Sequence, residues 1–152
     1  MSAPRLPSAV VDTNIFVSAV LSPSGAPARI LAALQSSSFR LISSRDQLQE
    51  LADVLAREAL FARYQVSRAE RDDFLKLFGL QAQIVDAVET LPVSVRDPKD
   101  AMLLAAALGG GADYLVSGDA DLLELAGDPR LGRLAILTAS AFVAVLDEAR
   151  RS

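Results

Sequence analysis

The chain has 152 residues, a formal net charge of −4, 51% hydrophobic residues, and neither cysteine nor histidine. Its length is that of one domain with a core of its own, predicted to span residues 1–152. The two missing residue types exclude disulfides, thiolate or imidazole metal sites, a cysteine nucleophile and Ser-His-Asp catalysis, so any acid–base or metal chemistry falls to carboxylates, Tyr, Lys, Ser, Thr or water.

No long apolar stretch precedes the first charge in "MSAPRLPSAVVDTN", and no run approaches the ~18 apolar residues of a membrane span. The expectation is a cytoplasmic protein without a membrane anchor. The first element is "SAVVD" (8–12), a short apolar run that reads as a buried strand ending in Asp12. Asp12 also opens "DTNIFVSAVL", where an aspartate is a natural N-cap. "GAPARILAALQ" follows the turn-forming "SPSG" and carries Pro27 near its first helical turn. "FRLIS" (39–43) is the second strand. "SRDQLQELADVLAR" has Ser44 as N-cap and Gln47 three residues later, the signature of a capping box. On that helix Leu48, Leu51, Ala52 and Leu55 mark the buried stripe, with Glu50 on its flank.

Residues 57–71, "REALFARYQVSRAER", bring Arg57, Arg63, Arg68 and Arg71 beside Phe61 and Tyr64. They read either as a grip on phosphates and bases or as a solvated turn balanced by Glu58 and Glu70. Ser67 and Glu70 repeat the capping device at the start of the next helix. There, Phe74, Leu77 and Phe78 at helical spacing serve either the core or a dimer face.

"LPVSV" (91–95) is the third predicted strand. "RDPKDAMLLAAAL" follows, with Asp97 before Pro98 as a helix N-cap and Asp100 at the third helical position, where the dipole favours an acid. "DYLVSG" (113–118) and "LAILT" (134–138) complete five strands. Asp119 and Asp121 follow the fourth, at a tight turn where Asp119 can cap "ADLLEL". "SAFVAVLDEARRS" closes the chain as a helix. Strands alternating with helices, nearly continuous in apolar character, predict an α/β three-layer sandwich with a parallel sheet. Such sheets bind ligands beyond the C-terminal ends of their strands.

Capping alone accounts for each acid taken singly. Taken together, Asp12, Asp100 and Asp119, with Asp121 and Asp97 beside them, fall at one sheet edge. Two carboxylates ~4 Å apart repel by about 4 kcal/mol at an effective dielectric of about 20. The chain has only two lysines, Lys76 and Lys99, to offset them. A hard divalent cation, which prefers oxygen ligands, is the economical explanation.

The ordered set "VVDTNIFVSAVL", "ELADVL" and "RDPKDAMLLAAALGGGADYLVSGDADLLEL" resembles the successive motifs of the PIN domain family, nearest to its toxin-component (VapC-like) branch. The resemblance spans about residues 8–140. It implies a five-stranded parallel sheet in the order 3-2-1-4-5 and a Mg²⁺- or Mn²⁺-dependent ribonuclease, with RNA as substrate, an antitoxin partner and a homodimer. It implies Asp12, Glu50, Asp100 and Asp119 as catalytic residues, and Asp12, Asp100, Asp119 and Asp121 as metal ligands. Thr13, Asn14, Ser117 and Asp97 are then supporting residues, Ser117 standing where the family often has Thr. Arg57, Arg63 and Arg68 remain the candidates for substrate contact. Two other readings stay open: a haloacid-dehalogenase-like phosphatase, which shares a strand-end Asp and a late "GDxxD"-like element, and a PIN-like binding module without catalysis.

Overall fold

In a computed structural model, which describes residues 5–151, the first strand β1 (Ser8–Val11) is buried at all four positions. Its side chains alternate between two cores. Ala9 and Val11 join one hydrophobic cluster, and Val10 joins the other. The alternation is the period-two geometry of a strand covered on both faces.

Four further strands complete one sheet: β2 (Arg40–Ser43), β3 (Gln83–Ile84), β4 (Tyr114–Val116) and β5 (Ala135–Leu137). Their order is β3-β2-β1-β4-β5, and every pairing is parallel. Among the described residues, eight α-helices connect and cover them: α1 (Thr13–Leu21), α2 (Ala26–Gln35), α3 (Arg45–Leu55), α4 (Glu58–Ala62), α5 (Arg68–Gln81), α6 (Pro98–Gly109), α7 (Ala120–Leu123) and α8 (Ala139–Arg151). Side chains of α1, α2, α3, α5 and α8 pack against Ala9, Val11, Leu41 and Val116 on one face. Those of α6 and α7 pack against Val10, Ile42, Leu115 and Ile136 on the other. The result is the α/β sandwich with a five-stranded parallel sheet and flanking helices that the alternation of strand and helix patterns predicts. No single helix among the described residues is long and apolar enough to cross a membrane.

The third strand is not where the apolar pattern puts it. Residues 91–95 form no strand; β3 is Gln83–Ile84, which pairs with Ile42 and Ser43. As an edge strand it is hydrogen-bonded on one side and both of its residues are exposed, so it carries no apolar signal. The run 91–95 is apolar for a different reason. The chain from Val85 onward crosses the C-terminal part of α6, and Val88 N–H donates to the carbonyl of Ala105 (3.1 Å). Val93 is buried in the second cluster, with Leu91 and Val95 packed against it. Gly109 permits the crossing, because a Cβ there would lie 2.1 Å from the carbonyl oxygen of Asp86. Burial alone does not make a strand; Pro92 also withholds a donor from any ladder.

The predicted N-caps are formed. Ser44 and Ser67 accept from the backbone N–H groups of Gln47 and Glu70. The Gln47 side chain does not return to the cap, however. It is buried, accepts from Ser43 Oγ (2.6 Å) and donates to the Val11 carbonyl (2.7 Å), tying α3 to the ends of β1 and β2. Phe74 and Phe78 are core residues stacked near Phe16 rather than part of an exposed face.

Candidate functional site

Two strands, β1 and β4, lead at this edge into helices capped by aspartates, Asp12 and Asp119, and Asp97 caps α6 after the strandless run 91–95. Asp12 N–H donates to the Val116 carbonyl (2.8 Å), so Asp12 extends the β1–β4 pairing by one residue and lies beside Ser117. It then caps α1, its Oδ1 accepting from Asn14 N–H (3.0 Å). Its Oδ2 accepts from the fully buried Ser117 hydroxyl (2.8 Å). The same Ser117 oxygen accepts from Asp119 N–H (3.0 Å), so one hydroxyl couples the acids that follow β1 and β4. Asp119 in turn caps α7 by accepting from Asp121 N–H (2.8 Å). Asp97 caps α6 by accepting from Lys99 N–H (2.9 Å), with Pro98 in the first turn.

Capping therefore holds for Asp12, Asp97 and Asp119, and it is also what fixes their positions. Asp100 differs. It lies in the first turn of α6, is 4% exposed, and its Oδ2 is buried without a hydrogen-bond partner. Burial, followed by the charges of Asp119, Asp97 and Asp12 and a shared hydrogen bond with Asp119, raises its carboxyl pKa to about 6. An orphaned, buried carboxylate oxygen costs free energy unless something outside the chain completes it.

Asp100, Asp119 and Asp121 place carboxylate oxygens within 4.8 Å of one another, a cluster able to hold a metal ion. An all-oxygen donor set of this kind suits a hard divalent cation. Asp12 is not a member of that compact set, and its two oxygens accept from the Asn14 N–H and the Ser117 hydroxyl. It nonetheless lies close enough for its charge to act on Asp100.

The acids share a cleft of about 400 Å³ whose walls include Asp12, Asn14, Glu50, Asp97, Asp100 and Asp119. The cleft is formed from the ends of β1 and β4, the first turns of α1 and α6, and Glu50 reaching in from α3. Asp121 borders a smaller neighbouring cavity with Ser94 and Arg96. Thr13 is buried, its Oγ1 3.4 Å from Gln47 Nε2, and braces the α1–α3 contact instead of lining the cleft. Sequence reasoning passes over several wall residues, Ser18 and Leu103 among them. Ser18 lies four residues after Asn14 and so shares its helix face, as Leu103 does with Asp100 at three. Lys99, one of the two lysines weighed as an offsetting charge, also lines the cleft.

The arginine-rich segment resolves into different parts. Arg71 is buried, donating to the Leu55 and Ser67 carbonyls and to Glu58, with its guanidinium 5.1 Å from the centre of the Phe61 ring. Phe61 is core, so neither can grip a base. Arg68 pairs with Glu58 at 3.7 Å. Arg57, Arg63 and Arg68 are exposed and line neither the acid cleft nor the cavity beside Asp121.

A model of the PIN domain matches residues 8–121. The chain belongs to the PIN domain family. No curated protein and no solved structure matches the chain. The match starts at β1 and ends at Asp121, so it encloses every acid of this PIN domain's cleft. A PIN fold with a clustered set of acids at its strand ends is a frame for metal-dependent hydrolysis.

Proposed function

We propose that this PIN domain protein is a Mg²⁺- or Mn²⁺-dependent endoribonuclease and the toxin component of a toxin–antitoxin pair. The observation that carries the hydrolytic reading is Asp100, whose buried Oδ2 has no hydrogen-bond partner and whose carboxylate lies within 4.8 Å of those of Asp119 and Asp121. The toxin reading, with a cognate antitoxin and a homodimer in the cytoplasm, is supported by the order and wording of the motifs around Asp12, Asp100 and Asp119.

Asp100, Asp119 and Asp121 would hold the ion, with Asp12 completing the site. When bound, the ion supplies a Lewis acid that activates water and offsets the charge building on the phosphate. Ser117 orients Asp12 and Asp119 together through its single hydroxyl. Asn14 fixes the other Asp12 oxygen through its backbone and presents its side chain to the cleft. Glu50, which lines the same cleft, would position the attacking water and accept its proton. Asp97 sets the start of α6 and thereby the placement of Asp100. The phosphatase alternative needs an acid two residues after Asp12, and Asn14 stands there.

The test is RNA cleavage by purified wild-type and Asp12→Asn or Asp100→Asn protein in Mg²⁺ or Mn²⁺. Loss of cleavage in both variants supports the assignment; cleavage at the wild-type rate overturns it. Turnover of a small phosphate ester without RNA cleavage identifies a phosphatase. Calorimetric titration showing no Mg²⁺ or Mn²⁺ binding identifies an inert module.

A further inference from the structure

We propose that Arg96 and Lys99 are the substrate-positioning cations of this site, holding RNA phosphates on either side of the acid cluster. The inference rests on the ribonuclease reading. Lys99 lines the acid cleft, whereas Arg96 and Ser94 line the smaller cavity on the other side. The acid cluster joins the two. Asp119 borders the first cavity, Asp121 borders the second, and their carboxylates lie within 4.8 Å. A strand of phosphates laid along both cavities meets a cation, the acids, and then a second cation.

Local geometry separates the two cations. The Asp97 cap and Pro98 fix the backbone between them, so Arg96 precedes α6 and Lys99 belongs to its first turn. Both are exposed. Most telling is what they do not do. Arg5, Arg29, Arg68, Arg71 and Arg130 each pair with a carboxylate within 4.0 Å. Lys99 shares its cavity with Asp12, Glu50, Asp97, Asp100 and Asp119, and Arg96 with Asp121 and Glu124, yet neither forms an ion pair among the described residues. Asp12, Asp97 and Asp119 direct oxygens to helix N–H groups, Asp12 also to Ser117, and Asp100 shares a hydrogen bond with Asp119, whereas Asp121 and Glu124 share Arg96's cavity without pairing with it within 4.0 Å. The cations are left available for anions from outside, and phosphate contacts supply a large share of nucleic-acid affinity.

The test measures binding of a short single-stranded RNA by fluorescence anisotropy, with Ca²⁺ in place of Mg²⁺ and over a range of salt. Arg96→Gln and Lys99→Gln are each expected to weaken binding roughly three- to tenfold, the range of one charged contact at an exposed site. Each should also lower the steepness of log affinity against log salt by about 0.7 per lost phosphate contact. Arg96→Lys and Lys99→Arg should restore that slope. In Mg²⁺, both Gln variants should raise KM with kcat little changed. An unchanged salt slope in both Gln variants, with the wild type binding RNA, overturns the proposal. Tighter Mn²⁺ binding by Lys99→Gln with unchanged RNA affinity also overturns it, since Lys99 is then an internal counter-ion. Wild-type protein that binds no RNA with any divalent ion rejects the ribonuclease reading itself, and this proposal with it.

Discussion

Asp113 and Asp100 sit at opposite edges of the same sheet and are treated in opposite ways. Asp113 precedes β4. Its Oδ2 accepts from both the backbone N–H (3.0 Å) and the hydroxyl (3.1 Å) of Ser8, and its own N–H donates back to Ser8 Oγ (3.0 Å). Partial burial works to raise its pKa, but the Ser8 bonds and the charges of Arg5 and Arg133 outweigh it and hold the carboxyl below its usual value. Asp100 is more deeply buried, has an unpartnered oxygen and faces other carboxylates, so its pKa rises to about 6. One aspartate clips β1 to β4. The other is maintained at a cost to the metal-free fold, which marks it as serving something the fold does not need.

The largest expected effect falls on activity. Asp100→Asn should lower RNA cleavage at least about 10²-fold, beyond the loss typical of residues that only orient ligands. Asp113→Asn should leave kcat near wild type, and initial rates at saturating RNA separate the two. An equal loss in both would erase the contrast.

Stability should show the reverse order. Asp113→Ala removes the partner of two Ser8 donors and is expected to cost about 1–3 kcal/mol. Each kcal/mol corresponds to a fall of about 2–4 °C in Tm for a chain of this size. Metal-free Asp100→Asn should gain on the order of 1 kcal/mol near neutral pH, where the native carboxylate is charged and crowded. Thermal melts in a chelator test both. Added Mn²⁺ should raise the wild-type Tm and leave that of Asp100→Asn nearly unchanged.

The pH dependence has two windows of opposite sign. A folded pKa raised to about 6 means that the native state holds the Asp100 proton more tightly than the unfolded chain does. The metal-free protein therefore loses stability as pH rises from about 4 through about 6. The depressed pKa of Asp113 works the other way. Its contribution is present above the usual carboxylate range and is lost as pH falls through its folded value. Asp100→Asn should flatten the upper window and leave the lower one intact in denaturation followed against pH.

Smaller effects probe the supports. Ser117→Ala removes the hydroxyl shared by Asp12 and Asp119 and should reduce cleavage about tenfold. Asp97→Ala should cost about 1 kcal/mol through loss of the α6 cap, whereas Asp97→Asn, which keeps a capping oxygen, should cost far less.

Much of this was readable along the chain. Buried strands covered on both faces are continuously apolar, which located β1, β2, β4 and β5 and the parallel sheet. Side-chain caps are contacts between residues two or three apart, so Asp12, Ser44, Ser67, Asp97 and Asp119 were legible as helix starts. The convergence of Asp12 and Asp119 followed from the rule that parallel strands end at one edge; Asp100 joins them from the first turn of α6, which no strand directly precedes. The edge strand β3 was not legible, because a strand paired on one side and exposed needs no apolar residues. The fate of Arg71 and Gln47 was also hidden, since a polar residue enters a core only when distant partners satisfy it. What the sequence determined by itself was the local grammar: which residues start helices, which run as strands, and which acids follow them. Only the tertiary structure decided that Ser117 would tie Asp12 to Asp119, that Asp100 would be left with an unmet oxygen, and that Asp113 would find Ser8. The bonds from Ser117 to Asp12 and from Ser8 to Asp113 join residues 105 positions apart, and nothing in the local sequence encodes a distance across the sheet.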